Sequence, residues 1–121
     1  MLKVKVCGIT DPDNAKAVAE TGIDFAGFIF YPGSKRYVGN IPDKSLFENI
    51  PERVIKVGVF VNEDPARVIK ISHSSGIEVV QLHGNETLNY CDSLRSHGLK
   101  VIKAFRIDNK TDFQMINTYS D

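Results

Sequence analysis

One junction recurs along the chain and restricts the folds open to it. Asp11-Pro12 and Asp64-Pro65 each precede a stretch with helical apolar spacing, and Gly22-Ile23 and Gly76-Ile77 follow these stretches directly before strand-forming runs. Aspartate caps the free amides of a first helical turn, and proline at the next position gives up a hydrogen bond that was never available. Glycine past the last turn takes the left-handed conformation that closes a helix. The pattern predicts helices that alternate with parallel strands.

The repeated unit predicts five βα units with no linker and no low-complexity tract. A further helical stretch ends at Gly98-Leu99, before the apolar run 101–105. We predict strands near residues 2–7, 24–30, 53–61, 77–82 and 99–106, and helices near residues 11–21, 43–50, 64–74, 86–97 and 110–119. A chain of 121 residues is long enough for one domain with a buried core and too short for two. Residues 1–121 are therefore expected to form a single α/β domain.

Five βα units fit two architectures, and the parity of the strands helps to choose between them. One is an open flavodoxin-like sheet, and the other is a (β/α)8 TIM barrel of which about five units are present, a partial barrel. An open sheet carries helices on both faces, so both faces should be apolar. Here Lys5 and Cys7 share one face of the first strand, Gln81 and His83 share one face of the fourth, and Lys56 is expected on the polar face of the third. One partly polar face favours the barrel.

Composition and charge exclude several classes of function. The 15 basic residues balance the 15 acidic ones, and no basic stripe indicates nucleic acid or an anionic membrane as a partner. No apolar run approaches the ~20 residues of a membrane helix, and the strand-like start at residues 1–5 indicates no secretion signal. Cys7 and Cys91 form no metal or disulfide spacing, and Cys91 is expected in the core of a helix. We expect a reduced, soluble, cytoplasmic protein.

Two side chains that can carry chemistry lie at predicted carboxyl ends of strands. Cys7 precedes Gly8, and His83 precedes Gly84. Proteins with βα units place their active sites at these strand ends. The alternative for Cys7 is a small core hydrophobe, and the alternative for His83 is a hydrogen-bonded structural residue. Lys5 lies on the same face as Cys7, where an ammonium group would favour a thiolate.

The loop after the second predicted strand, residues 31–38, has two interpretations. Pro32, Gly33 and Ser34 are turn formers, so the loop is a solvated turn in the first. In the second, Arg36 binds a carboxylate through a two-pronged hydrogen bond. The spacing of the residues leaves both open. No glycine-rich nucleotide-binding pattern is present in the sequence.

The chain closely resembles the phosphoribosylanthranilate isomerase family of barrel enzymes. Five stretches match the family's motifs in the family's order, from the first strand to the fourth. They are Lys5-Val6-Cys7-Gly8-Ile9-Thr10, Gly27-Phe28-Ile29-Phe30-Tyr31-Pro32, Ser34-Lys35-Arg36-Tyr37-Val38, Val57-Gly58-Val59-Phe60-Val61-Asn62 and Val80-Gln81-Leu82-His83-Gly84. Several independent motifs in register form a stronger signal than any one of them.

The resemblance implies an isomerase of tryptophan biosynthesis. The family converts N-(5′-phosphoribosyl)anthranilate to 1-(2-carboxyphenylamino)-1-deoxyribulose 5-phosphate by an Amadori rearrangement, without a metal or an organic cofactor. A general acid opens the ribose ring to a Schiff base, and a general base then removes a proton from the neighbouring carbon. By resemblance, Cys7 is that base, Arg36 holds the anthranilate carboxylate, and Gln81 and His83 make supporting contacts to the substrate.

The sequence also departs from the family. There, the general acid is an aspartate at the end of the sixth strand, and the phosphate is held by loops after the seventh and eighth strands. This chain reaches Asp121 at about the end of its fifth predicted helix, so we expect the acid and the phosphate-binding residues to lie outside it. We therefore expect the chain to be inactive alone. Unpaired edges at the first and fifth strands predict self-association or a missing carboxyl-terminal half.

Two alternative hypotheses remain open from the sequence. A non-catalytic five-stranded flavodoxin-like module would bind a phosphorylated ligand or a partner protein, and its strand order would be 2-1-3-4-5. A partial barrel would have the order 1-2-3-4-5, with helices on the convex side. A related phosphosugar barrel, such as a ribulose-phosphate epimerase, is disfavoured by the cysteine and by the lack of paired histidines for a metal.

Overall fold

Strands and helices alternate strictly in the computed structural model, which describes residues 3–39 and 42–104. The elements are β1 (Lys5–Cys7), α1 (Pro12–Ala19), β2 (Phe25–Ile29), α2 (Lys44–Glu48), β3 (Ile55–Phe60), α3 (Pro65–Ser75), β4 (Val79–Leu82), α4 (Leu88–Ser96) and β5 (Lys100–Lys103). Each lies within or beside the range that the sequence predicts for it. The helix predicted at 110–119 lies outside the described residues.

The ends of the helices have the predicted chemistry. The Asp11 carboxylate accepts hydrogen bonds from the backbone amides of Asp13 (2.8 Å) and Asn14 (3.3 Å), and proline follows it at the first helical position. Asp64 caps α3 in the same way. Gly76 ends α3 with a φ of 71°, a conformation that few residues other than glycine adopt at low cost. Local sequence therefore determines where these helices begin and end.

The five strands form one parallel sheet in the order β1-β2-β3-β4-β5. Consecutive neighbours of this kind make up the wall of a barrel. A flavodoxin-like sheet would need the order 2-1-3-4-5. The partial-barrel prediction is therefore confirmed, and the flavodoxin-like alternative is wrong for the part of the chain that the structure describes.

The helix-facing side of the sheet carries the main core. Phe28 and Phe60 are fully buried, and the Phe30 ring stacks on Phe60 with centroids 5.0 Å apart. Phe47 of α2 packs edge-on against Phe28, with centroids 4.9 Å apart. Leu94 of α4 is also fully buried. Aromatic pairs of this kind add to the free energy gained from burial of their apolar area, so the outer layer holds α2 and α4 firmly on the sheet.

Strand register corrects one prediction from the sequence. Lys56 pairs with Ala26, which in turn pairs with Val6, so all three lie on the helix-facing side. Lys56 lines a cavity of about 580 Å³ with Phe47 of α2 and Lys70 of α3. The expectation that Lys56 belongs to the polar inner face is wrong. Alternation within β3 separates Lys56 from its neighbours, but only the pairing with β2 decides which face is which.

The inner face is concave, and one side-chain contact demonstrates the curvature. Lys5 Nζ donates a hydrogen bond to Oε1 of Gln81, although β1 and β4 are not neighbours in the sheet. In a flat sheet these strands would lie three spacings of about 4.8 Å apart, beyond the reach of a lysine side chain. The sheet therefore curls toward the face that carries Lys5 and Gln81.

The two outer strands have open edges within the described residues. There, β1 pairs with β2 alone, and β5 pairs with β4 alone. Val4, beside β1, is 46% exposed, and Ile102 of β5 is 47% exposed. Unpaired strand edges with apolar neighbours are sites at which further chain can add.

Candidate functional site

Four side chains that the sequence analysis selected lie at one end of the sheet. Cys7 is the last residue of β1, Arg36 lies in the loop after β2, and Gln81 and His83 lie at the end of β4. In a parallel sheet all carboxyl ends lie at the same edge. We refer to Cys7, Arg36, Gln81 and His83 together as the mouth.

The thiol of Cys7 lies against a glycine of the neighbouring strand. Cys7 pairs with Gly27 of β2, and a Cβ atom built on Gly27 would lie 2.9 Å from Cys7 Sγ. Any larger residue at that position would therefore displace the sulfur. Cys7 is half-buried and free of any disulfide, so the thiol is held in place while part of the side chain stays accessible.

Arg36 reaches back over the end of β1. Its Nη1 donates to the carbonyl oxygen of Cys7 at 3.4 Å. A Cβ atom on Gly8 would lie 2.5 Å from Cδ of Arg36, and Gly8 has a φ of 87°, so glycine is needed there for both space and conformation. Among the described residues this is the one hydrogen bond recorded for the guanidinium, which has five N–H donors. The remaining donors suit a carboxylate or phosphate.

The loop that carries Arg36 is held along β2. Val38 N donates to the carbonyl of Ile29 at 3.0 Å, and Tyr37 forms an isolated parallel bridge with the same residue. The Ser34 hydroxyl accepts from Arg36 N at 3.1 Å. The segment therefore extends the sheet locally, and this places Arg36 beside β1. A fully solvated turn would not have this pairing.

Gln81 and His83 form a polar row with Lys5. Lys5 Nζ donates to Gln81 Oε1, and Gln81 Nε2 lies 2.7 Å from His83 Nε2. The sequence analysis placed Lys5 on the face of Cys7 and considered an ammonium–thiolate pair. The partner recorded for the Lys5 ammonium is Gln81, and this contact connects the first strand to the fourth.

A buried network under the mouth was not predicted from the sequence. The side chains of Glu86 and Lys103 are 1% and 9% exposed, and Lys103 Nζ lies 2.7 Å from Glu86 Oε1. Lys103 Nζ also donates to the carbonyl of Gly84 at 2.5 Å. Asn62 N donates to Glu86 Oε2 at 2.8 Å, and Asn62 Oδ1 accepts from Asn85 N at 2.7 Å. These bonds join the ends of β3, β4 and β5.

Two features of this network fix the backbone next to His83. Asn62 has a φ of 51°, a left-handed conformation that asparagine tolerates better than most residues. A Cβ atom on Gly84 would lie 2.3 Å from Asn62 Oδ1, so only glycine fits. His83 N in turn donates to the carbonyl of Phe60 at 3.1 Å. The available signal in the sequence was Lys103, a charged residue at an alternating position on an apolar strand face.

The charge state of the network follows from its contacts. Burial acts to raise the pKa of Glu86, but hydrogen bonds from Lys103 and from the Asn62 amide outweigh it and leave that pKa below its usual value. Burial raises the pKa of Cys91, which agrees with its predicted place in the core of α4. Burial likewise raises the pKa of Tyr90, whose hydroxyl donates to the Glu63 carbonyl at 2.6 Å. Glu86 is therefore a carboxylate, while Cys91 and Tyr90 are neutral.

In residues 3–39 and 42–104, no group of three or more His, Cys, Asp or Glu side chains is placed to hold a metal ion. Within the same ranges, no helix has both the length and the apolar character needed to cross a membrane.

Consecutive parallel βα units, with polar side chains gathered at the carboxyl ends of the strands, define a protein of the (β/α) barrel class. The sequence profile described as N-(5′phosphoribosyl)anthranilate (PRA) isomerase matches residues 4–121. The chain belongs to this family, and the resemblance stated from the sequence is confirmed.

Relatives and solved structures agree with this assignment. An N-(5′-phosphoribosyl)anthranilate isomerase of Phocaeicola vulgatus is 40% identical over 96% of this chain and 54% of its own length. One of Thermotoga petrophila is 38% identical over 100% of this chain and 58% of its own length. A crystal structure of a phosphoribosyl anthranilate isomerase with reduced 1-(o-carboxyphenylamino)-1-deoxyribulose 5-phosphate superimposes with a TM-score of 0.89, at 37% identity, over 98% of this chain and 61% of that one. The chain thus spans somewhat more than half the length of these relatives.

The Glu86–Lys103 pair predicts a specific dependence of stability on pH. Because the folded-state pKa of Glu86 lies below the usual value of 4.5, its stabilising contribution is fully present above about pH 4.5 and is lost as the pH falls through the folded value. Glu86→Gln removes the carboxylate that lies 2.7 Å from the buried Lys103 ammonium, so we expect a loss of about 3–5 kcal/mol near neutral pH. We also expect a flatter decline of stability in acid. Urea unfolding from about pH 7 to about pH 2 measures both effects.

Two further variants sharpen this test. Glu48→Gln removes an exposed carboxylate from α2 and should change neither quantity. Replacement of both partners by apolar residues, Glu86→Leu with Lys103→Met, should be less harmful than Glu86→Gln alone, because both buried charges are removed together. If Glu86→Gln had the stability and the acid slope of the unaltered chain, the network would have no role in holding the strand ends.

Proposed function

We propose that this chain supplies the base and the carboxylate-binding group of a phosphoribosylanthranilate isomerase. The reaction is the conversion of N-(5′-phosphoribosyl)anthranilate to 1-(2-carboxyphenylamino)-1-deoxyribulose 5-phosphate in tryptophan biosynthesis. Family membership supports the reaction. The single observation that carries the assignment of roles is that the Arg36 guanidinium hydrogen-bonds to the backbone of Cys7, at 3.4 Å. A ligand carboxylate bound by Arg36 would thus hold its molecule over the end of β1.

In the proposed mechanism, the Cys7 thiolate moves one proton. Once the ribose ring has opened to a Schiff base, the thiolate takes the proton from the carbon next to the C=N bond. The Schiff base is a cation, because its nitrogen keeps the N–H of the amine when the ring opens. The C–H electron pair forms a C=C bond, and the C=N electrons neutralise this nitrogen, which gives a neutral enolamine. The enolamine then becomes the ketone by tautomerisation. A thiolate suits this step because it is a base whose pKa can lie near neutral pH.

Arg36, Gln81 and His83 bind substrate in this proposal. Arg36 would meet the anthranilate carboxylate through two parallel hydrogen bonds, a geometry that a guanidinium provides and an ammonium does not. Gln81 and His83 would contact the substrate from the other side of the mouth. A relative's structure contains reduced 1-(o-carboxyphenylamino)-1-deoxyribulose 5-phosphate, which supports a ligand of this class. The proton transfers use no metal and no organic cofactor, and the general acid and the phosphate-binding groups are not among the residues that we assign.

The open strand edges complete the proposal. We propose that residues 1–121 form a single partial barrel, inactive alone, and that further βα units cover β1 and β5, either from a second copy or from a carboxyl-terminal half. The unpaired edges and the exposure of Val4 and Ile102 support this. We also propose a cytoplasmic location, because Cys7 and Cys91 are both free thiols. Recovery of the native protein from a secreted fraction would contradict that location.

Arg36→Ala should weaken the binding of reduced 1-(o-carboxyphenylamino)-1-deoxyribulose 5-phosphate by about 10- to 150-fold, because hydrogen bonds to a charged group are lost. Calorimetric titration of the assembly that binds this compound measures the change. Arg95→Ala, which removes a guanidinium from the exposed side of α4, is the matched control and should leave affinity unchanged. Equal affinities for Arg36→Ala and the unaltered protein would rule out the carboxylate role.

Cys7→Ser should lower turnover of N-(5′-phosphoribosyl)anthranilate by about 100-fold or more, since a hydroxyl is a far poorer base than a thiolate. The affinity for the reduced compound should change little, so the loss falls on kcat and not on KM. Steady-state kinetics in the assembly in which the chain is active provide the measurement, with Cys91→Ala as the control. Near-normal turnover in Cys7→Ser would show that the thiol has only a packing role. An absence of turnover by the unaltered protein in every assembly would refute the proposed activity.

The isolated chain should associate. Light scattering after size exclusion should give a mass above the 13.5 kDa of one chain, because β1 and β5 offer unpaired backbone groups. Ile102→Lys places a charge on the exposed edge strand β5 and should shift the protein toward monomer. Leu88→Lys, at a position 40% exposed on α4, is the matched control and should not. A sharp monomer peak with cooperative thermal unfolding in the unaltered chain would contradict the association.

A further inference from the structure

Two contacts in the mouth together determine which nitrogen of His83 carries a proton. Lys5 Nζ hydrogen-bonds to Gln81 Oε1, and Gln81 Nε2 lies 2.7 Å from His83 Nε2. Lys5 belongs to β1, whereas Gln81 and His83 lie at the end of β4. The row therefore crosses the concave face of the sheet.

Lys5 fixes the orientation of the Gln81 amide. A lysine ammonium has three donors and no acceptor, so the atom that faces it must be the amide oxygen. In the flipped orientation the amide NH2 would face the ammonium, and two donors would oppose each other. The amide nitrogen of Gln81 must therefore point the other way, toward His83.

The Gln81 amide then fixes the state of the His83 ring. An amide nitrogen only donates, so His83 Nε2 must accept, and only an unprotonated ring nitrogen can do so. A neutral imidazole carries its single proton on the other nitrogen, Nδ1. Among the described residues, His83 Nδ1 has no recorded hydrogen-bond partner, and the His83 side chain is exposed. This N–H is thus available to a ligand.

We infer that Lys5 is a positioning residue of the site: through the Gln81 amide it holds His83 as the neutral Nδ1–H tautomer, which presents an N–H donor to an oxygen acceptor of the ligand. The ligand part of this inference rests on the proposed function, whereas the tautomer itself does not. Lys5 and Arg36 already bring two cations to this end of the sheet. A neutral histidine adds a directed donor without a third positive charge.

The other two histidines provide internal references. His73 Nε2 lies 3.4 Å from the carbonyl oxygen of His97, which only accepts, so His73 carries its proton on Nε2. His97 Nδ1 lies 2.8 Å from the carbonyl oxygen of Ser93, so His97 carries its proton on Nδ1. The two references thus represent the two tautomers, with the proton on Nε2 in His73 and on Nδ1 in His97.

Two-bond 1H–15N correlation spectra of the chain, labelled with 15N at histidine, identify the protonated ring nitrogen directly. The measurement is made near pH 8, above the ordinary titration range of histidine, which is about pH 6.5. We expect the His83 pattern to match that of His97 and to be the reverse of that of His73. A His83 ring that carries its proton on Nε2, or that averages between the two forms, would overturn the inference.

Variants of Lys5 and Gln81 test the cause of the tautomer. Lys5→Met frees the Gln81 amide to flip, so His83 should become a mixture of tautomers, while Lys5→Arg restores a donor and should restore the single form. Gln81→Glu replaces the amide donor by an acceptor and should move the His83 proton to Nε2. Lys3→Met is the matched control: Lys3 lies two residues from Lys5, over the Phe25 ring, and its loss should change nothing.

The His73 and His97 signals show whether each variant is folded. If Lys5→Met does not fold, Lys5→Arg and Gln81→Glu carry the test. If Lys5→Met folds and His83 keeps a single Nδ1–H tautomer, Lys5 is not the residue that sets this tautomer.

Binding of reduced 1-(o-carboxyphenylamino)-1-deoxyribulose 5-phosphate tests the donor role. His83→Phe removes the ring N–H but keeps a planar ring, and we expect about 3- to 10-fold weaker binding, the effect of one lost neutral hydrogen bond. Unchanged affinity would overturn the donor role. If the compound does not bind the unaltered protein in any assembly while the tautomer is as expected, the proposed function fails and the positioning by Lys5 stands.

Discussion

Parallel pairing of consecutive strands is the constraint on which the rest of this structure depends. Because each strand pairs in parallel with the next one along the chain, every carboxyl end faces the same edge. The loops that follow β1, β2 and β4 must therefore lie beside one another. Cys7 and Arg36, which are far apart in sequence, come into contact for this reason. Strand pairing brings the loops together, and local features then place the side chains: the Arg36 loop pairs with Ile29, and Gly8 leaves room for the guanidinium.

A buried ion pair, Glu86–Lys103, holds the backbone next to His83. Burial of Glu86 and Lys103 together is a poor way to gain stability, since the desolvation of two charges offsets much of their attraction. A pair of apolar residues would serve a core at least as well. Unlike apolar residues, the ion pair also forms hydrogen bonds with the backbone. It contacts the Asn62 amide and the Gly84 carbonyl, and so fixes the loops that follow β3 and β4. We therefore interpret the Glu86–Lys103 pair as a contact that positions the loops after β3 and β4.

Local chemistry made much of this fold predictable, and long-range register accounts for what was missed. Asp11 and Gly76 mark helix ends through contacts within a few residues, so their roles are legible in the sequence. The side on which Lys56 and Lys103 lie depends on pairing with other strands, which alternation within one strand does not reveal. For the site, positions at strand ends could be predicted, whereas the pairing of the Arg36 loop with β2 could not. The partners of Lys5 and Glu86 required the three-dimensional arrangement.

The two faces of the sheet differ in how far the described residues bury them. On the helix-facing side, Phe28, Phe60 and Leu94 are fully buried by helices that the described residues themselves supply. The concave face is different, because within residues 3–39 and 42–104 the strands β1 and β5 each pair on one side only, and Ile102 is nearly half exposed. The free energy that holds the helices on the sheet thus comes from one face, while Cys7, Gln81 and His83, to which we assign roles in the proposed function, lie on the other. Such a division lets the outer layer form from local βα contacts, whereas the concave face depends on contacts between distant strands, such as that of Lys5 with Gln81.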